Sequence, residues 1–295
     1  MIDVDSHLVA DARAGRLEAM RELLVALQGP VFNLAVRVLG NRWDAQDATQ
    51  ETLLRVLTHL GGFRGESPFG AWVARIATNH LRDLAQRPRP MQVADFESLG
   101  TELDRGIALT RGEAESAMTP EERLESHRTA LTCTQAMLMC LPTEQRIAYV
   151  LDLLFGLDSY QAGAVQGVPA ATHRKRLSRA RAALARFTRN RCSLVDPRGD
   201  CRCSSQVLAK RRSAAHGFEV DPLRPSPVDM ARLEQGLREL HALGDAAAVL
   251  RRMPPLETPS DLTARIRDLL AASTMFGPVL AAANGAAADG LERSA

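Results

Sequence analysis

A chain of 295 residues with a formal net charge of +2 and 45 % hydrophobic residues has room for two or three small modules and is not basic throughout. Aromatic residues at 4 % and the lack of alternating β-branched runs exclude a sheet-rich fold. No basic flank leads into an apolar run and cleavage site, and no apolar run nears about twenty residues, which predicts a cytoplasmic chain without a membrane partner; five cysteines, an odd number, argue against a disulfide framework.

Residues 8–86 carry a continuous helical pattern. One helix is predicted through ARAGRLEAMRELLVAL and a second through PVFNLAVRVLG, with Pro30 in its first turn and Gly40 at its end. A third runs through DAQDATQETLLRVLTHL with Asp44 as N-cap. After the loop GGFRGESPFG comes a fourth, AWVARIATNHLRDLAQR, stopped by Pro88 and Pro90. Residues 89–118 lose periodicity and gain acid, which predicts a flexible linker.

Thr119 to Glu122 (TPEE) forms a capping box with proline at the first helical position. Helices are then predicted at 120–140, 143–155, 159–166 and 170–187, the last two separated by Gly167-Val168-Pro169. Cys133 and Cys140, seven apart on the first of these, read as thiols buried in a core. Residues 191–228 form a Cys-containing connector and 229–272 a helical hairpin. Leu233, Leu237, Leu240 and Leu243 are the buried side of one of its helices, and Leu262, Ile266 and Leu269 that of the other. Residues 273–295, rich in Ala and Gly, read as a disordered tail.

Three helix faces carry chemistry. The stretch 170–191 holds eight Arg or Lys residues, with no acid between Asp158 and Asp196. His173, Leu177, Ala180, Leu184 and Phe187 fall on one stripe, while Lys175, Arg179 and Arg186 point the other way. Behind a short helix and a Gly-Val-Pro turn, this is a helix-turn-helix arrangement whose second helix enters the major groove. The inward place of His173 makes it a packed ring, neither ligand nor catalyst.

On the third helix Asp47, Gln50, Glu51 and Leu54 share one face, which suits docking on a basic partner helix. Leu53, Leu57 and Leu60 form a separate core face. On the fourth helix Trp72, Ile76, Asn79 and Asp83 form a stripe flanked by Arg75 and Arg82, while Val73, Ala77 and Leu84 face the core. Aromatic, amide and guanidinium groups side by side can stack on and neutralise a single nucleic-acid strand.

The segments DAQDATQETLLRV, FRGESPFGAWVARIATNHLRD and LPTEQR with GVPAATHRKRLSRAR resemble regions 2 and 4 of bacterial sigma-70 family factors, and the layout resembles the extracytoplasmic-function group. The resemblance implies an all-α fold with region 2 at 8–88 and region 4 at 119–190. It also implies a role in promoter melting and transcription initiation on core RNA polymerase. Asp47, Gln50, Glu51 and Leu54 would dock on the β′ clamp helices, with the β subunit as a further contact. Phe63, Ser67, Phe69, Trp72, Arg75, Asn79 and Arg82 would open and hold the minus-ten element. Thr172, Arg174, Lys175, Arg176 and Arg179 would read the minus-thirty-five element. The chain departs from the family at SYQAGAVQGV, where Ala and Gly stand in place of a Glu and a larger apolar residue, and at His173, which replaces a Val.

Cys192, Cys201 and Cys203 with His216 are candidate tetrahedral zinc ligands, although their spacing matches no standard zinc pair; no other cofactor is expected. The stretch RCSLVDPRGDCRC resembles a tail found behind region 4 in some group members. An anti-sigma partner or self-regulation by the C-terminal extension are further expectations. The rival reading is a one-component helix-turn-helix regulator that binds duplex DNA without polymerase. GGFRGES lacks the phosphate-cradling GxxxxGK[ST] pattern and no hydrolase triad or metal-hydrolase motif occurs, so no enzyme is expected.

Overall fold

The computed structural model describes residues 4–86, 95–111, 119–213 and 262. Among these, helices are joined by turns, and an isolated bridge between Cys192 and Cys201 is the one β-type pairing. The all-α expectation holds, while several boundaries move for physical reasons.

Helices α1 (Ser6–Arg13) and α2 (Leu17–Leu39) divide the chain at Gly15, whose φ of 84° lies in the left-handed region. The expected break at Pro30 does not occur; the proline lies inside α2. Losing one N–H and crowding the preceding turn costs about 3 kcal/mol. Against that, Leu23, Leu27, Val31, Leu34, Ala35 and Val38 are all at most 1 % exposed, and a fully buried aliphatic side chain contributes about 1.5–3 kcal/mol. Burial wins. By length and composition α2 could cross a membrane, contrary to the expectation that no apolar run nears that length, but it is the mostly buried core helix.

Helix α3 (Arg42–His59) is capped by Asn41, whose Oδ1 accepts from the Asp44 N–H at 3.0 Å. Asp44 is therefore a first-turn acid, not the cap; there it still complements the helix dipole. Leu53, Leu57 and Leu60 are buried as expected. A short 3-10 turn (Leu60–Gly62) leads through the loop into α4 (Phe69–Ala85), which buries Val73, Ala77 and Leu81 and leaves Leu84 half-buried. Pro88 and Pro90 lie outside the described residues.

The linker is not simply flexible. Its middle forms α5 (Phe96–Leu109), started by a capping box between Asp95 and Ser98 and anchored by Leu99 and Leu103. Helix α6 (Pro120–Met139) starts at the expected Thr119–Glu122 box, and α7 (Thr143–Phe155), α8 (Ser159–Gln166) and α9 (Ala170–Thr188) follow the predicted spans closely. A further helix, α10 (Cys203–Arg212), lies inside the expected connector. It packs on α5 and α6: Gln206 Nε2 donates to Leu103 O at 3.0 Å, and Arg211 pairs with Glu122 at 2.9 Å. Of the expected hairpin only Leu262 is described, and it is buried; the rest of 229–272 and the tail 273–295 lie outside the described residues.

The two modules pack directly on each other, α6 and α7 against α2 and α8 against α4. The last carbonyls of a helix have spare acceptor capacity; at the end of α2, Val36 O is met by the Gly40 N–H at 2.8 Å. Side chains of the C-terminal module add further donors. Gln135 Nε2 donates to Val36 O at 3.1 Å, and the buried Arg146 donates to Val38 O at 2.7 Å while its other amino group meets Met139 O and Leu141 O, each at 2.9 Å. A guanidinium at a helix C-terminus also meets the negative end of the dipole.

Candidate nucleic-acid interface

On α9 the inward stripe is as expected: His173, Ala180 and Leu184 are buried, and Leu177 and Phe187 pack half-buried against the core. Burial pushes the His173 imidazole below its ordinary range, opposed by Asp152 and helped by Arg176, Arg174 and Arg181. Arg174, Lys175 and Arg179 are exposed on the opposite face and Thr172 is half-buried. Arg176 departs from expectation. It is half-buried, pairs with Glu144 at 2.7 Å and donates to Gln166 Oε1 at 2.9 Å. Arg181 likewise pairs with Asp152 of α7 at 2.7 Å.

The turn before α9 explains one departure from the family pattern. A Cβ on Gly163 would stand 2.7 Å from Val168 O and 3.2 Å from the Ala170 nitrogen. Helix α8 therefore approaches the turn more closely than any side chain at 163 would permit.

On α4 the rings of Phe63, Phe69 and Trp72 form a cluster with centroids 5.2–5.6 Å apart, and Ser67, Arg75 and Asn79 are exposed. The predicted set is thus brought together, but it does not face open solvent on every side. Phe63, Trp72 and Arg75 line a pocket whose far wall is Gln161, Ala164 and Val165 of α8. Arg82 is the second departure. Its Nε donates to Glu144 at 2.6 Å, one amino group meets Asn79 Oδ1 at 3.1 Å and the other meets Gln166 O at 3.0 Å. Glu144 therefore pairs with an arginine from each module, Arg82 of α4 and Arg176 of α9, at its two oxygens.

The α3 face is only partly as expected. Asp47 is exposed, Glu51 pairs with Arg55 at 2.7 Å and Leu54 is half-buried. Gln50, however, is 7 % exposed and points inward. Its place is taken by a residue the sequence reading passed over. Trp43 is 68 % exposed and lies one turn before Asp47 on the same side of the helix; an aromatic residue four positions before an acid was the available signal. Glu144, inside the LPTEQR motif, was also passed over, because its partners are remote in sequence.

Cys192 and Cys201 are joined by an isolated bridge behind α9 and Cys203 opens α10, while His216 lies outside the described residues. Cys133 and Cys140, expected as buried core thiols, are both half-buried. Among the described residues no group of three or more His, Cys, Asp or Glu is preassembled around a metal position.

Comparisons with known proteins agree with this layout. The family model for sigma-70 region 2 matches residues 23–89, and that for sigma-70 region 4 matches residues 131–184. The chain is 32 % identical to the RNA polymerase sigma factor CnrH of Cupriavidus metallidurans over 62 % of its length and 93 % of that protein. It is 32 % identical to the ECF RNA polymerase sigma-E factor of Escherichia coli over 61 % of its length and 92 % of that protein. It is 27 % identical to the ECF RNA polymerase sigma factor SigW of Bacillus subtilis, over 62 % and 95 %. Among solved structures, that of CnrH in complex with the cytosolic domain of CnrY is similar, with a TM-score of 0.44, 28 % identity and coverage of 63 % of this chain and 97 % of that one. The two family models and the sequence relatives favour initiation on polymerase over a one-component regulator. The chain belongs to the ECF group of sigma-70 family factors, which bind core RNA polymerase and promoter DNA and direct promoter-specific initiation of transcription.

Proposed function

We propose that the three faces divide the work of initiation. Helix α9 reads the minus-thirty-five element with Arg174 and Lys175, at its N-terminal end, toward base edges and Arg179 toward phosphate. The Phe63–Phe69 loop with Trp72, Arg75, Asn79 and Arg82 melts and holds the minus-ten strand, the rings stacking on bases and the guanidinium groups neutralising phosphate. The exposed side of α3, with Trp43, Asp47, Glu51 and Leu54, docks on the β′ clamp helices. Such a chain works where RNA polymerase works, in the cytoplasm.

The observation that carries the mechanism is Glu144. In the free chain it ties Arg82 to Arg176 and so holds the melting face against α8. Both arginines must leave this acid before they can meet phosphate, which makes separation of the modules a step in forming the open complex. The packing of α8 on α4 supports the closed starting arrangement.

Reconstitution with core polymerase tests the assignment. Glu51→Lys and Trp43→Ala should each weaken retention of the folded chain on core polymerase by about tenfold, equivalent to about 1.4 kcal/mol. Unchanged co-purification of both variants would contradict the docking face.

A further inference from the structure

The chain behind α9 turns back and runs along the linker helix. The Cys192 N–H donates to Thr188 O at 3.0 Å, Cys192 O accepts from Val195 and Asp196 at 3.0 and 2.9 Å, and the Cys201 N–H donates to Arg191 O at 2.9 Å. Gly199 lets the two sides of this turn meet: a Cβ there would stand 2.6 Å from Arg191 O. Helix α10 leaves the turn and packs on α5 and α6. Three side chains of the returning segment grip α5. Arg191 pairs with Asp104 and reaches Gly100 O at 3.4 Å. Gln206, itself buried, donates to Leu103 O at 3.0 Å. Arg212 donates at 2.6 Å to Leu109 O, at the end of α5, where helix carbonyls have spare acceptor capacity.

The end of α9 completes the grip. The Phe187 ring lies 5.1 Å from that of Phe96, the first residue of α5, and the Arg191 guanidinium sits 5.4 Å from the Phe187 ring centroid. Arg211 joins α10 to Glu122 in the first turn of α6 at 2.9 Å. The linker helix is thus bound to both ends of region 4, and the consequence is a short tether. Region 2 ends with α4 at Ala85 and region 4 begins with α6 at Pro120. With α5 held on region 4, only residues 86–95 connect the two, a stretch that reaches at most about 35 Å; residues 86–119, released and drawn out, reach about 115 Å. The minus-ten and minus-thirty-five elements lie about 25 base steps apart, which is about 85 Å at about 3.4 Å per step. The docked tether covers less than half of that separation, and the released one covers all of it. A short tether also raises the effective concentration of region 4 at region 2, which favours the pairing of Glu144 with Arg82.

We propose that Arg191, Gln206 and Arg212 form an intramolecular clamp that docks the linker helix on region 4 and so limits how far the two regions separate. The clamp opens when both promoter elements are engaged, a step that rests on the division of work proposed above. The segment behind α9 is then a built-in restraint on initiation: it favours the closed chain, in which Glu144 holds Arg82, and yields when polymerase and DNA draw the regions apart. Each grip is polar and reaches a carbonyl or carboxylate on α5, so release exchanges it for water at a small net cost.

Two measurements on the full chain test this. In the free chain, hydrogen exchange read by mass spectrometry should show slow α5 amides. The double variant Arg191→Ala/Gln206→Ala, which removes two of the grips, should speed them about tenfold. Gly199→Val, which pries open the turn without touching α5, should do the same, and the amides of α2 should stay unchanged in both. In the second measurement, spectroscopic labels on non-canonical residues at the exposed Thr101 of α5 and Lys210 of α10 report the distance between the two helices. It should be short in the free wild-type chain and clearly longer in the holoenzyme on a promoter carrying both elements. This arm needs no clamp variant to fold, and the exchange arm needs no polymerase, so its failure belongs to the clamp alone; failure of the proposed function shows instead in the Arg174 and Asn79 variants. Exchange of α5 unchanged in both clamp variants, or a Thr101–Lys210 distance that is the same in the free chain and the promoter complex, would each overturn the proposal.

Discussion

Helices α4 and α9 both set arginines beside an apolar stripe, yet the two cationic faces are held differently. On α9, Arg174, Lys175 and Arg179 are exposed, and in the proposed division of work they are the first to meet DNA. On α4, Arg82 is engaged by Glu144, Asn79 and Gln166, and Phe63 and Trp72 of the aromatic cluster share a pocket with residues of α8. A freely exposed charge acts at encounter, through the field it projects. A charge in a half-buried pair acts only after its partner has been exchanged for another anion, so its contribution is conditional on a rearrangement. In the proposed division of work the same residue type thus serves recognition in one helix and a gated step in the other.

The comparison can be broken first at the exposed face, where the largest effects are expected. Arg174→Ala or Lys175→Ala should change which minus-thirty-five sequences the holoenzyme uses, by about 1–3 kcal/mol of discrimination at the affected position. Promoter-library transcription reads this out; unchanged preferences would mean that α9 supplies charge without reading bases.

At the gated face, Glu144→Ala removes the shared acid. The free chain should then bind a single-stranded minus-ten oligonucleotide about tenfold more tightly, a gain of about 1.4 kcal/mol, while Asn79→Ala should reduce permanganate-reactive open complex more than closed-complex binding. An unchanged oligonucleotide affinity in Glu144→Ala would mean that the clamp does not limit access. A smaller effect is expected at Arg186, exposed further along α9. Arg186→Ala should weaken all promoters alike and lower the salt slope of binding by about one unit.

The smallest effect concerns the packing beneath the exposed face. His173 is 1 % exposed and its folded pKa is depressed, chiefly by burial. The neutral ring's contribution is fully present above the unfolded value of about 6.5 and is lost as pH falls from there through the folded value. Thermal melts across that window should show a slope for the wild-type chain that is reduced in His173→Gln; equal slopes would remove His173 as its source.

Much of this was legible in the sequence where the signal is local. The Thr119–Glu122 box, the Gly167-Val168-Pro169 turn and the inward stripe of α9 each depend on residues within a turn or two, and all were placed correctly. Pro30 falls inside α2 because its local cost is overruled by the burial of residues 31–39 behind it, which is a tertiary effect. Helix α5 was hidden because acid-rich composition obscured Leu99 and Leu103, whose covering partner α10 lies in a different part of the chain. Gln50 and Trp43 show the same limit: helical spacing tells which residues share a face, but the inward direction is set by what packs there. The clamp at Glu144 was out of reach, since Arg82 is 62 positions away and no periodicity links them.

The central claim is that region 4 holds the melting face of region 2 in the free chain and releases it on polymerase. Spectroscopic labels on non-canonical residues at the exposed positions Asp83 of α4 and Tyr160 of α8 measure this directly. The account predicts a short, narrow distance distribution in the free chain and a clearly longer one in the holoenzyme, with Glu144→Ala broadening the free-chain distribution. A distance that is the same in both states, or already long in the free chain, would contradict it.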